Sequence, residues 1–226
     1  MTVFYFSGSG HSLAVAEALA RILACEIRRI GSHTENTADE TAAVVFPVYC
    51  QNIPGPVKAF LTQLQAKNVA LIATYGKISY GRVLYEAQRM IKGTVIAGAY
   101  IPMGHTFLGG NHLFDIEQLC PIAERMRKPQ TVRIPKTRKN PLANIFPALR
   151  SRLGVAITKG DPCNHCGFCE KACPVGAIHN GKPDSACIRC LRCVSVCPQK
   201  ALAYKNSRVL DAYLKHYYRE EYVLYL

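Results

Sequence analysis

Two stretches carry the most specific chemistry. Residues 163–174 read CNHCGFCEKACP and residues 187–198 read CIRCLRCVSVCP. Each places four cysteines as C-x2-C-x2-C-x3-C and closes on proline. A short connector containing HNGKPDSA separates them, so the chain holds an internal duplication. Structural zinc takes four tetrahedral ligands, commonly as two separated pairs, whereas three cysteines two apart with a more distant fourth is the run that wraps a cubic iron–sulfur cluster. The fourth cysteine cannot reach back to its own cluster, and where two such runs occur it ligates the other one. A crossed assignment is expected: Cys163, Cys166, Cys169 and Cys197 around one [4Fe-4S] cluster, and Cys187, Cys190, Cys193 and Cys173 around the second. Pro174 and Pro198 lack an N–H and fix φ, which suits a chain leaving a cluster by a sharp turn.

These eight are drawn from eleven cysteines. Disulfides belong mainly to small secreted domains, and the first residues lack the basic, apolar, small-residue pattern of a signal peptide. A reducing cytoplasm is therefore expected. No apolar run has the length needed to cross a bilayer.

The rest of the 226 residues must position or serve these centres. The net charge of +13 is unevenly placed: residues 1–124 hold nine Lys/Arg and nine Asp/Glu, residues 125–160 ten and none, and residues 161–226 nine and six. The basic segment has four prolines and little periodicity before Leu142, Ile145, Phe146, Leu149 and Leu153. It is read as a solvated linker over 129–158 with one short helix. The alternative is a docking strip for an acidic redox partner or, less favoured, an anionic membrane surface. Nucleic acid is not expected, because no reading helix or aromatic platform accompanies the charge.

Ahead of the linker, buried strand-like runs alternate with amphipathic stretches. TVFYFS, TAAVVFPVY, NVALIATYG and TVIAGAYIPM read as strands, and HSLAVAEALARILA, PVKAFLTQLQA, YGRVLYEAQRMIK and a final stretch near IEQLCPIAERMRK as helices. The pattern implies an α/β doubly wound parallel sheet over residues 1–128, with ligands at the carboxyl ends of the strands. The first strand runs into SGSGHS at residues 7–12 and then a helix, which makes an anion cradle of backbone N–H groups, small hydroxyls and the helix dipole. A dinucleotide fingerprint fits poorly, since Leu13 stands where a third glycine or alanine is wanted. A Walker loop fails for lack of Gly-Lys-Ser/Thr.

VFYFSGSGHS resembles the phosphate loop of flavodoxins, and FPVYCQNIPGP and ATYGKISYG fall where flavodoxin-like proteins hold the isoalloxazine of FMN. With the duplicated cysteine segment behind it, the whole chain resembles the cytoplasmic flavodoxin–ferredoxin fusion proteins of anaerobes. That resemblance implies FMN. Ser7, Ser9, Gly10, His11 and Ser12 would hold its phosphate, while Pro47, Val48, Tyr49 and Cys50 would flank the ring on one side and Thr74, Tyr75 and Gly76 would meet it on another. It also implies a small α+β two-cluster ferredoxin domain over 159–205. Ser9 and His11 replace the threonine and asparagine frequent in that loop.

Other residues have plainer readings. Cys25 and Cys120 are structural, and Cys50 is a small hydrophobe before it is a redox thiol. His105 and His112 border a glycine-rich loop near the flavin or a substrate, and His165 is a spacer inside the first cysteine run. Residues 206–226 read as a C-terminal amphipathic helix capped by Ser207, with Leu210, Tyr213, Leu214, Tyr217, Tyr218 and Tyr222 on one face.

The function expected is electron transfer between two [4Fe-4S] clusters and FMN, with redox proteins as partners. Two alternatives stand beside it. One is a flavin-dependent reductase of a quinone, ferric complex or small organic acceptor, with the His105 loop as a pocket wall. The other is a flavin-free module that docks a ferredoxin.

Overall fold

In a computed structural model, residues 1–31, 40–108, 113–145, 147–216 and 219–226 are described. The readings at His112, Phe146, Tyr217 and Tyr218 lie outside them. The chain divides into two units, residues 1–141 with 219–226, and residues 142–218.

The first unit is built on five parallel strands: β1 (Thr2–Tyr5), β2 (Glu26–Arg29), β3 (Thr41–Pro47), β4 (Asn68–Tyr75) and β5 (Thr94–Pro102). They lie in the order β2-β1-β3-β4-β5, which is the flavodoxin-like doubly wound order. β3 and β4 are apolar along nearly their whole length, as strands covered on both faces must be. Alternation divides their side chains. Val3, Ala43, Val45, Ala70 and Ile72 meet α1 (His11–Leu23) and α4 (Cys120–Arg127) in one core. Phe4 points the other way, its ring 4.8 Å from that of Phe60 on α2 (Gly55–Gln63). The short α3 (Val83–Gln88) packs against β4 and β5, where Tyr100 Oη accepts from the Leu84 N–H at 3.0 Å.

Two expectations are corrected here. Residues 129–140 do not hang as a solvated tether. Val132 N–H donates to Val95 O at 2.8 Å, and Ile134, fully buried, exchanges two hydrogen bonds with the Gln88 amide. Gly98 permits this, since a Cβ there would come within 2.7 Å of Ile134. Farther on, Thr137 donates to Gly81 O and Lys139 Nζ lies 3.0 Å from the Glu86 carboxylate and 2.8 Å from Asn52 Oδ1. The segment is a strap whose inward residues satisfy groups that the unit would otherwise leave unpaired.

The helix expected over 206–226 is the second correction. Helix α8 spans Arg208–His216, and Val223–Tyr225 forms strand β10, antiparallel to β5. Ser207 does cap α8, its Oγ accepting from Leu210 N–H at 3.3 Å. Beyond it the chain pairs with a sheet edge that would otherwise expose backbone donors and acceptors. Tyr222 and Leu224 face the core and Tyr222 Oη donates to Gln118 O.

The second unit begins earlier than the cysteine segment suggests. After α5 (Pro147–Gly154), strand β6 (Val155–Lys159) pairs antiparallel with β9 (Leu202–Asn206). Between them lie α6 (Phe168–Ala172), the strands β7 (Ile178–His179) and β8 (Lys182–Pro183), and α7 (Arg192–Ser195). The pairing Ile178↔Pro183 maps onto Leu202↔Lys159 by a shift of 24 residues, and His179↔Lys182 onto Ala203↔Thr158. The sequence duplication is thus a structural one.

Candidate functional site

The cysteine repeats superpose in backbone detail. Positive φ recurs at His165 and Arg189, Gly167 and Leu191, and Gly176 and Lys200, each pair 24 residues apart. Ala177 N–H donates to Cys173 Sγ at 3.2 Å and Ala201 N–H to Cys197 Sγ at 3.4 Å. Such turns aim amides at sulfur, and hydrogen bonds to sulfur help to set cluster potentials.

The fourth thiol of each repeat stands with the other repeat. Cys163, Cys166, Cys169 and Cys197 line one cleft, with His165 at its exposed rim. Burial pushes the Cys193 thiol up to about 12, and the charges of Cys190, Cys187 and Cys173 add to the effect. Burial likewise raises Cys190 to about 11, with Cys173 and Cys187 as its charged neighbours. Cys169 is raised by burial first and also feels Cys197. Iron ligation must displace these protons. Among the described residues no three Cys, His, Asp or Glu side chains converge on a single-ion position. The two sets differ in exposure: Cys187, Cys190 and Cys193 are buried, whereas Cys166 is exposed.

In the first unit the expected flavin loops gather at the carboxyl edge of the sheet. Gly10, with φ 102°, starts α1 with no side-chain cap, leaving its first N–H groups directed at the loop. Ser7 Oγ accepts from Gly10 N–H at 3.1 Å, and Ser12 Oγ lies 2.7 Å from Thr74 Oγ1, tying this loop to the end of β4. Ser9 Oγ is 2.8 Å from His11 Nδ1. Three hydroxyls and an uncapped helix start are a donor set of the kind a phosphate requires. Pro47 ends β3, and Val48 N–H donates to Thr74 O. Tyr49 and Asn52 bond each other's backbones across a two-residue turn made by Cys50 and Gln51, both at positive φ, so the Cys50 thiol is exposed.

Tyr75 is placed differently from expectation. Its hydroxyl lies 2.7 Å from Glu221 O and 2.9 Å from Glu221 N, and its ring meets Tyr80 edge-on, so the side chain anchors the terminal segment. Gly76 keeps its place in the loop for another reason: a Cβ there would come within 2.4 Å of the His105 ring. Burial lowers His105 to about 4, with His11 adding, and Phe107 N–H donates to its Nδ1. Thr106 Oγ1 is 3.0 Å from Ser9 Oγ. The segment after β5 therefore reaches the loop at residues 7–12. Sequence reasoning did not find that contact, and no spacing in the sequence encodes it. Cys25 packs partly against the core and Cys120 opens α4, where neither meets the loops.

Two models of a 4Fe-4S binding domain match the chain, at residues 159–178 and 184–203. No curated protein matches it. Among solved structures, a flavodoxin from the domain Archaea is 22% identical over 56% of this chain and 99% of its own, with a TM-score of 0.42. A protein described as a flavoprotein from Bacteroides eggerthii is 13% identical over 56% of this chain and 96% of its own, with a TM-score of 0.41. The fold assignment rests on the strand order of the chain itself. A sheet in that order followed by matched cluster-binding segments supports a flavodoxin–ferredoxin fusion and, in general, electron transfer. No described helix is long and apolar enough to cross a membrane.

Proposed function

We propose that the protein relays electrons between two [4Fe-4S] clusters in the second unit and an FMN in the first. The observation that carries the reading is the exchange of fourth cysteines. Cys197 lines a cleft with Cys163, Cys166 and Cys169, and Cys173 is an electrostatic neighbour of Cys190 and Cys193. Each set supplies four thiolates, the complement of a cubic cluster.

On this reading Ser7, Ser9, Ser12 and the start of α1 bind the FMN phosphate, and Gly10 supplies the turn. Ser12 and Thr74 lock the cradle to the sheet, which holds the loop beyond β4 in place for the ring. His105, neutral at physiological pH, sits over Gly76 and closes the far side. Iron–sulfur centres move single electrons while a flavin accepts one or two, so together they couple one-electron to two-electron chemistry.

Anaerobic purification followed by quantification of flavin, iron and acid-labile sulfide tests the reading. One FMN with about eight irons and eight sulfides is expected. Full clusters without flavin, even after FMN is added, would leave a docking module, and zinc in place of iron would overturn both. Cys197→Ser should cost about half of the iron and leave the set around Cys187, Cys190 and Cys193 intact.

A further inference from the structure

We infer that residues 219–221 are a positioning clamp for the loop after β4, and that affinity for the flavin ring depends on them. The clamp lies wholly in the first unit, and its role rests on the reading of that loop as the ring side of an FMN site. Three consecutive residues grip the loop along its length. The Tyr75 hydroxyl donates to Glu221 O at 2.7 Å and accepts from Glu221 N–H at 2.9 Å. Arg219 N–H donates to Lys77 O at 2.5 Å, and the Lys77 ammonium pairs with the Glu220 carboxylate. At the far end Tyr80 Oη donates to Glu221 Oε2 at 3.3 Å, with the Arg219 guanidinium 5.0 Å from the centre of its ring.

The gripping segment is itself fixed. β10 pairs Val223 with Tyr100 and Tyr225 with Gly98, Tyr222 Oη donates to Gln118 O, and the Tyr100 ring stacks on Tyr80 with centroids 3.9 Å apart. The loop, by contrast, is under local strain. Lys77 has φ 55°, a left-handed conformation that a residue with a Cβ keeps only where its surroundings hold it. Its neighbour Gly76 lies under the His105 ring, where a Cβ would come within 2.4 Å, so the loop has no room on that side. Without the grip Lys77 would return to the common backbone conformations and carry the loop away from the ring position.

The test titrates the full, cluster-loaded chain, freed of flavin, with FMN, with riboflavin and with inorganic phosphate. Tyr75→Phe should weaken FMN and riboflavin by the same factor of about ten, as loss of a hydrogen bond implies, and leave phosphate binding unchanged. Glu220→Ala/Glu221→Ala alters the clamp without altering the loop and should weaken both flavins about threefold. Tyr222→Phe removes a hydrogen bond from the same segment but none from the loop, and should change no affinity. In the wild-type chain the Arg219 and Glu221 amides should exchange slowly, and Tyr75→Phe should release that of Glu221. Variants that bind riboflavin as the wild type does overturn the clamp and leave the relay standing. So does a Tyr222→Phe chain weakened as much as Tyr75→Phe, which would be general loosening of the unit, and so does fast exchange at Arg219 and Glu221. A wild-type chain that binds neither FMN nor riboflavin overturns the FMN reading, and the clamp's role with it.

Discussion

The two units of this chain are held together by different means. In the first, strands covered on both faces bury Val44, Phe46, Leu71, Ile72 and Ile96 along with helix residues such as Leu19, Leu61 and Leu84. Among the described residues the second buries a cluster of Ile178, Leu202 and Cys193, with Val155, Ala177, Leu191, Ala201 and Leu214 beside it, and much of what packs around that cluster is cysteine: Cys169, Cys173 and Cys197 with Ile157 and Val194. A core of that size contributes little against chain entropy. Where thiols take the place of aliphatic side chains, metal binding becomes folding energy. The first unit should therefore be stable by burial, and the second only when its thiols are ligated.

Iron removal is the largest expected break in that comparison. Anaerobic chelation should unfold residues 155–206, read as rapid proteolysis and lost amide protection there, while the sheet of the first unit stays protected. Equal protection of both units after chelation would refute the comparison. Within the second unit, iron held by the exposed Cys166 set should leave before iron held by the buried set.

The converse break is a cavity. Ile72 is fully buried in β4, and Ile72→Ala should cost about 2–5 kcal/mol in the first unit's unfolding while iron and sulfide content stay constant. Loss of iron in step with this substitution would show that the units do not fold separately.

Acid probes the first unit through His105. Its folded pKa is lowered from 6.5 to about 4, so between those values the unfolded chain binds a proton that the folded chain excludes. Stability then rises with pH across this window and falls on acidification, by up to about 3 kcal/mol at the lower end. Denaturant unfolding of the first unit at pH 7 and pH 4.5 measures it, and His105→Phe should flatten the dependence.

The smallest effects compare the two repeats. Gly176 and Lys200 occupy equivalent left-handed positions, with φ 63° and 50°. Gly176→Ala should destabilise the iron-loaded second unit by about 1 kcal/mol, and Lys200→Gly should stabilise it by about 0.5 kcal/mol once the added freedom of glycine when unfolded is subtracted. Shifts of equal sign would mean that the repeats are not structurally equivalent.

The molecule was unevenly legible. The strands TAAVVFPVY and NVALIATYG could be read because burial on both faces demands unbroken apolar runs, and the turn at residues 7–12 because glycines and small hydroxyls between a strand and a helix favour one. The strap and β10 were not legible. Their inward residues, Val132, Ile134 and Thr137, alternate too briefly among prolines and cations to signal a strand, and the tyrosines at 213, 217 and 222 prolong a helical spacing past the point where the helix ends. Both segments are fixed by a distant sheet edge and by Gln88 and Gly98.

The sequence by itself determined what depends on residue type and local spacing: eight thiols in two runs, a hydroxyl-lined loop ahead of a helix, and a charge confined to one segment. Only the tertiary structure decided what depends on contacts between residues far apart in the chain. Thr106 joins Ser9, His105 lies over Gly76, Tyr75 holds Glu221, and Cys166 is exposed while its duplicate Cys190 is buried. Spacing constrains neighbours along the chain through backbone geometry, whereas burial and long-range hydrogen bonds are properties of the packed whole.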